Sequence, residues 1–143
     1  MKKKNSLSEF HQERRDFLLR NFREAIARQS EIDRNKAFHI VASAPAPRFW
    51  VSESRAAAVI GKILAGSDPT ESMVAEKREM FMEIFRRFSR RRSLDGEATI
   101  SDIIFDVVNE AAPRSYLSWQ TIRSLIYEEM RIRRKRLERK HAQ

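Results

Sequence analysis

The sequence predicts an all-α protein of about six helices arranged as two tandem trihelical units of helix-turn-helix type, and three observations carry that prediction. Only three Gly and four Pro occur in 143 residues, so the tight turns of a sandwich or barrel have no residues to make them. Apolar residues recur at helical spacing, and Ser, Thr, Gly and Pro stand where helices start and stop. A short motif also occurs twice, in the same order as a second repeated stretch.

Residues 1–7 read as a disordered basic tail. Ser6 or Ser8 caps a first helix reaching about Gln29, with Phe10, Phe17, Leu18, Phe22, Ala25 and Ile26 on its apolar stripe. A short second helix covers Arg34 to Ser43 and buries Phe38 and Val41, with Ile40 a further candidate, and Pro45 and Pro47 end it. Ser52 caps a third helix over Glu53 to Ala65, with Ala56, Val59, Ile60, Ile63 and Leu64 inward and Gly66 at the position that closes it. Residues 67–72 have linker chemistry, with Pro69 opening the next helix from an Asp68 cap as the alternative.

The fourth helix spans about Met73 to Arg92, with Met80, Phe81, Ile84, Phe85 and Phe88 inside. Arginines at 86, 87, 90, 91 and 92 suit its negative end. Thr99 or Ser101 caps the fifth, which buries Ile103, Ile104, Val107 and Val108 and stops before Pro113. Ser118 starts the sixth, which runs through Ile122, Leu125, Ile126 and Met130 into a basic arm at 131–143, read as a helical extension.

Ala46-Pro47-Arg48-Phe49-Trp50-Val51-Ser52 aligns with Ala112-Pro113-Arg114-Ser115-Tyr116-Leu117-Ser118 at an offset of 66, with four identities. The stretch from Arg15 to Arg23 resembles the one from Arg78 to Arg86 at an offset of 63. Two copies of one unit follow: long helix, short helix, Pro-Arg turn, Ser-capped helix, at 8–66 and 73–130. The alternative is a plain six-helix bundle whose two similar turns reflect only the common Pro-then-cap grammar of helix junctions.

Lys and Arg exceed Asp and Glu by nine, so the partners to expect are polyanions. In a helix-turn-helix plan the last helix presents its outward residues to base edges. Those are Arg55 and Lys62 on the third helix and Gln120, Arg123, Tyr127 and Arg131 on the sixth, Arg and Gln being able to read guanine and adenine. Arg48 and Arg114 recur near the positive end of a helix and are phosphate-contact candidates. The competing reading lays them over nearby carbonyls or pairs them with a carboxylate such as Glu110. The run from Arg131 to Lys140, including Arg133, Arg134, Lys135 and Arg136, holds seven cations and one acid and suits sequence-independent phosphate contact. The arginines at 86–92 either extend that patch or form a solvated face. Trp50 and Tyr116 staple their turns to the core.

No Cys is present, the three His lack metal-ligand spacing, and no Gly-rich phosphate loop occurs, so an enzyme is not expected and no cofactor is expected. Asp102, Asp106, Asn109 and Glu110 read as a polar helix face, and His39 as a core or boundary residue. The basic, then polar, first residues do not form a signal peptide, and no long apolar run exists, so a cytoplasmic protein without membrane contact is expected.

The phrases at 46–56, 77–81 and 112–118 resemble small basic proteins of prophages and mobile elements of gut bacteria. That resemblance implies a phage-like or transposon-like setting and brings no catalytic or ligand residue. The expected function is non-enzymatic nucleic-acid binding, with double-stranded DNA first and RNA second. The alternative is a helical assembly protein, a virion or ribonucleoprotein component, acting as a homo-oligomer or with a protein partner.

Overall fold

The computed structural model describes residues 2–142, with side chains described from Phe10 to Ala142. Met1 and Gln143, the outermost residues of the expected tail and arm, lie outside them. Six helices follow in order: α1 (Lys2–Ala27), α2 (Arg34–Ser43), α3 (Glu53–Leu64), α4 (Ala75–Leu94), α5 (Ile100–Val108) and α6 (Trp119–Ala142). The fold is all-α, and an isolated antiparallel bridge between Ala46 and Ala112 is the sheet-like pairing among the described residues.

The caps expected at Ser52, Thr99 and Ser118 form, and Asp33 adds an unexpected one at α2. Asp33 accepts from the Lys36 amide, Ser52 from Arg55, Thr99 from Asp102 and Ser118 from Thr121, each satisfying a first-turn donor that has no partner inside its helix. Gly66 closes α3 at φ +98°, a left-handed geometry that favours glycine, and the next amide, Ser67, donates back to the Lys62 carbonyl. Two boundaries differ from expectation. α1 reaches back to Lys2 instead of starting at Ser6 or Ser8, because no Gly or Pro interrupts residues 2–27 and Lys is a good helix former. α4 starts at Ala75, because Asp68 binds the Thr70 amide and hydroxyl and so closes a local turn instead of capping a helix.

The helices form two compact units, and their membership corrects the tandem arrangement. Pro45–Tyr116, holding α3, α4 and α5, is unit 2, whereas α1 and α2 join α6 in unit 1. The boundaries expected at 8–66 and 73–130 therefore do not hold, and α3 is not the third helix of α1 and α2. Ala46 and Ala112 exchange both backbone hydrogen bonds, at 3.0 and 2.9 Å, and the Phe49 amide donates to the Val108 carbonyl at 3.0 Å. These bonds hold the Pro-Arg turn beside the end of α5, and α3, which follows it, packs there.

The repeated pattern survives in a shifted frame, with α6, α1 and α2 corresponding to α3, α4 and α5. Ala37, Phe38 and Val41 of α2 are buried, as are Ile103, Ile104 and Val107 of α5 at the same offset of 66; Ala56 and Ile60 match Ile122 and Ile126 likewise. Ile40 and Leu64, expected inward, are exposed: Ile40 lies to one side of the stripe set by Ala37, Phe38 and Val41, and Leu64 is the last residue of α3. The core of unit 1 gathers Leu18, Leu19, Phe22, Phe38, Ile122 and Ile126, with the Phe22 and Phe38 rings stacked at 4.8 Å. Each such side chain contributes about 1.5–3 kcal/mol on burial.

Unit 2 is continuous in the chain, owns its core and has its ends joined by the alanine pair. Expressed alone, residues 45–116 are expected to give a helical circular-dichroism spectrum and a cooperative thermal transition. A non-cooperative, gradual melt would show that the unit is not autonomous.

Candidate nucleic-acid interface

The outer face of α6 is set by the burial of its inner face. With Ile122 and Ile126 in the core, residues three and four positions apart on the opposite side line up, and these are Gln120, Arg123, Ser124, Tyr127, Arg131 and Arg134. Together with Arg34 of α2 they line a groove of about 880 Å³. A second cavity of about 990 Å³, between the α1–α2 turn and the same face, adds Arg28 and Lys36 and shares Arg34, Arg123 and Tyr127. Six cations thus stand against Glu31, Asp33 and Glu128, and the Asp33 carboxylate is already committed to the α2 cap.

Arg123 is exposed, with its guanidinium 5.8 Å from the centroid of the Tyr127 ring. Tyr127 meets Phe38 edge to face at 5.7 Å, and Phe38 stacks on Phe22, so an aromatic row runs from the core to this arginine. Arg28, Arg34 and Lys36 do not stand out in the sequence, because only the turn after α1 carries them back to α6. Their signal is the density of cations between two helix ends.

Arg133, expected to contact nucleic acid, is instead engaged inward. It donates to Glu129 at 2.8 Å and to Asp16 at 3.0 Å. Glu129 is fully buried and also receives Arg15 and Gln12, both at 3.2 Å, which ties α6 to α1. Burial pushes the Glu129 carboxyl up, but hydrogen bonds from Arg133, Gln12 and Arg15 outweigh it and hold it below the usual carboxylate range. Sequence reasoning missed this residue inside a charged run, although the phase that buries 122 and 126 also buries 129.

Arg48, Arg55, Lys62 and Arg114 belong to unit 2 and are not groove residues. Arg48 donates to the carbonyls of Phe49 at 3.0 Å and Val51 at 2.8 Å, fastening its own turn. Arg114 lies 5.6 Å from the Tyr116 ring and 3.5 Å from Glu79. Glu110 takes Arg87 and Arg91 instead. Arg55 and Lys62 are exposed on α3, but Ser54, Ala57, Ala58 and Gly61 stand where α6 has Gln120, Arg123, Ser124 and Tyr127. The arginines of α4 are largely structural: Arg86 and Arg87 clasp Glu83, and Arg87 also donates to the Ala111 carbonyl and lies 5.0 Å from the Phe49 ring.

Trp50 and Tyr116 are buried, as turn staples should be, and Tyr116 stacks on Phe49 at 6.1 Å. His39 is exposed and meets the Trp119 ring at 5.1 Å. Lys135 and Arg136 are exposed on the outer part of α6. Among the described residues no group of His, Asp or Glu is placed to hold a metal ion, and no helix is long and apolar enough to cross a membrane. No protein-family model matches the chain, and neither curated proteins nor solved structures provide a match.

Glu83, pushed down to about 2 chiefly by the Arg86 hydrogen bond, and Glu129 both titrate below the ordinary glutamate value of 4.5 in the folded protein. Their stabilising contribution is therefore complete above that value and lost as pH falls through the folded values. Urea unfolding is expected to give a stability plateau near neutrality and a decline below about pH 4.5. Glu129→Gln should cost about 2–3 kcal/mol at pH 7, less than a fully buried pair because its arginine partners keep some solvent, and should flatten part of that decline. Arg48→Ala is expected to lower the midpoint of unfolding while leaving nucleic-acid affinity of the folded protein unchanged.

Proposed function

We propose that this chain is a non-enzymatic, double-stranded DNA-binding protein that lays the outer face of α6 against the duplex. The observation that carries the reading is the row of Gln120, Arg123 and Tyr127 flanked by Arg28, Arg34, Lys36, Arg131 and Arg134 on one surface of unit 1. A single α-helix fits the major groove, and cations on both sides of it can reach phosphates. The exposed Arg134, Lys135 and Arg136 prolong the contact along the duplex backbone without a need for base readout.

Duplex is favoured over single strands and RNA loops, since those are held by stacking on exposed rings. Trp50 and Tyr116, two of the rings best suited to stacking, are buried. The resemblance to prophage and mobile-element proteins gives the reading its setting, an accessory protein acting on DNA in the bacterial cytoplasm. A second reading, an assembly component with protein partners, is favoured by unit 2, where Met82, Leu94 and Phe105 are exposed apolar residues.

Fluorescence polarisation against a labelled duplex across a salt series tests the proposal. Replacing Arg34, Lys36, Arg131 and Arg134 by Ala should lower the slope of log K against log salt by about 0.9 for each phosphate that is no longer neutralised, with the helical spectrum unchanged. An unchanged slope would remove the groove from the interface. Failure to bind any duplex, together with a defined higher oligomer by light scattering, would favour the assembly reading.

A further inference from the structure

We infer that Arg123, braced by Tyr127, reads a guanine in the major groove, which would make the protein sequence-selective and not merely attracted to phosphates. The inference rests on the duplex reading above and goes beyond it, because a cationic groove alone predicts equal affinity for all sequences.

Three features single out Arg123: support and position set it apart from the other cations of the groove, and availability sets it apart from Arg133 on the same helix. The first is its support. The guanidinium lies 5.8 Å from the Tyr127 ring, and that ring is fixed edge-on at 5.7 Å by the buried Phe38. An arginine stacked on an anchored ring gives up less side-chain freedom when its planar fork meets the O6 and N7 acceptors of guanine. The second is availability: Arg123 is exposed and forms no ion pair among the described residues, whereas Arg133, farther along and round the helix, is spent on Glu129 and Asp16.

The third is position. Arg123 lies in the second turn of α6, the part of a recognition helix that approaches base edges, and its neighbours suit such an approach. Ser124 beside it is small. Gln120, one turn earlier on the same face, carries the amide that pairs with adenine. Arg34 and Lys36, on α2, stand across the cavity where they meet phosphate without sequence preference. The corresponding positions of α3 hold Ala57 and Gly61 for Arg123 and Tyr127, so unit 2 lacks the pair altogether.

Tyr127 is then a positioning residue, and its test must separate bracing from simple packing. Duplexes enriched by repeated binding to the full chain are to be sequenced, and the enriched guanine replaced by 7-deazaguanine, which lacks the N7 acceptor. Wild type is expected to prefer the natural duplex by roughly five-fold or more, below the roughly 150-fold ceiling of a whole bidentate contact because the O6 acceptor is kept. Arg123→Ala should bind both duplexes alike while keeping most of the salt slope, and Arg123→Lys, with no planar fork, should show a reduced preference. Tyr127→Phe should retain the preference, and Tyr127→Leu, which preserves apolar burial, should weaken it with the fold intact by circular dichroism.

Enrichment without a common guanine, in a protein that still binds duplex with a steep salt slope, overturns the inference and leaves the duplex reading standing. A deaza penalty that persists in Arg123→Ala overturns the assignment to this residue. Absence of duplex binding overturns both.

Discussion

The pair of backbone hydrogen bonds between Ala46 and Ala112 decides how this chain is organised. Each alanine precedes a Pro-Arg turn, and each is buried, so the amide and carbonyl of both need partners that water does not supply. They find them in one another. That closes Pro45–Tyr116 into a continuous three-helix unit and leaves the chain to resume at Leu117 with α6 packed on α1 and α2. Tyr116, the last residue of the closed segment, takes a left-handed φ of +57°, an unusual geometry for a ring-bearing residue, and is held there by burial against Phe49.

Charge is distributed by the same division. In unit 2 Arg86, Arg87 and Arg91 of α4 meet Glu83, Asp106 and Glu110, and Arg87 also meets the carbonyl before the second turn, so much of the basic cluster in the middle of the chain serves packing. In unit 1 Arg133 of α6 and Arg15 of α1 are neutralised by Glu129 and Asp16, but the outer cations of α6 face few acids. A net excess of nine positive charges is thus not spread evenly over the surface. It falls in unit 1, where the face that also carries Gln120 and Tyr127 sets six cations against three acids, and that local excess is what separates a candidate interface from general basicity.

Much of the local structure is legible in the sequence, because capping and burial are short-range and periodic. Ser52, Thr99 and Ser118 start helices where side-chain acceptors demand them, Gly66 ends one, and the α2 limits are those expected, with Pro45 and Pro47 beyond its end. The grouping of helices is not legible. An apolar stripe such as Ala56, Val59 and Ile60 fits the short helix of either half equally well, and the choice is made by the Phe49 amide reaching the Val108 carbonyl, a main-chain bond with no side-chain signature. For the same reason Arg48 reads as a phosphate ligand in the sequence, whereas in the fold it fastens Phe49 and Val51. The outward residues of α6 are readable from its phase alone, while Arg28, Arg34 and Lys36 join them only through the fold.

The shifted frame also accounts for why one copy of the third helix is the better candidate reader. α3 must turn back to reach α4, and Gly66 in its left-handed geometry ends it after three turns; at the equivalent place α6 has Ile132, and the helix continues to Ala142. A helix that stops at a tight turn has little length to offer a duplex, whereas at about 1.5 Å per residue the stretch from Gln120 to Arg134 spans roughly 21 Å of groove. Substitution follows geometry. Small residues at 54, 57, 58 and 61 leave α3 a smooth face, while three of the same positions of α6 carry Gln120, Arg123 and Tyr127, long polar and aromatic side chains suited to reach a partner. The anchoring of α6 to α1 through Glu129 then has a mechanical sense, since a helix that presents arginines to a polyanion needs a buried carboxylate behind it to fix which of them point outward.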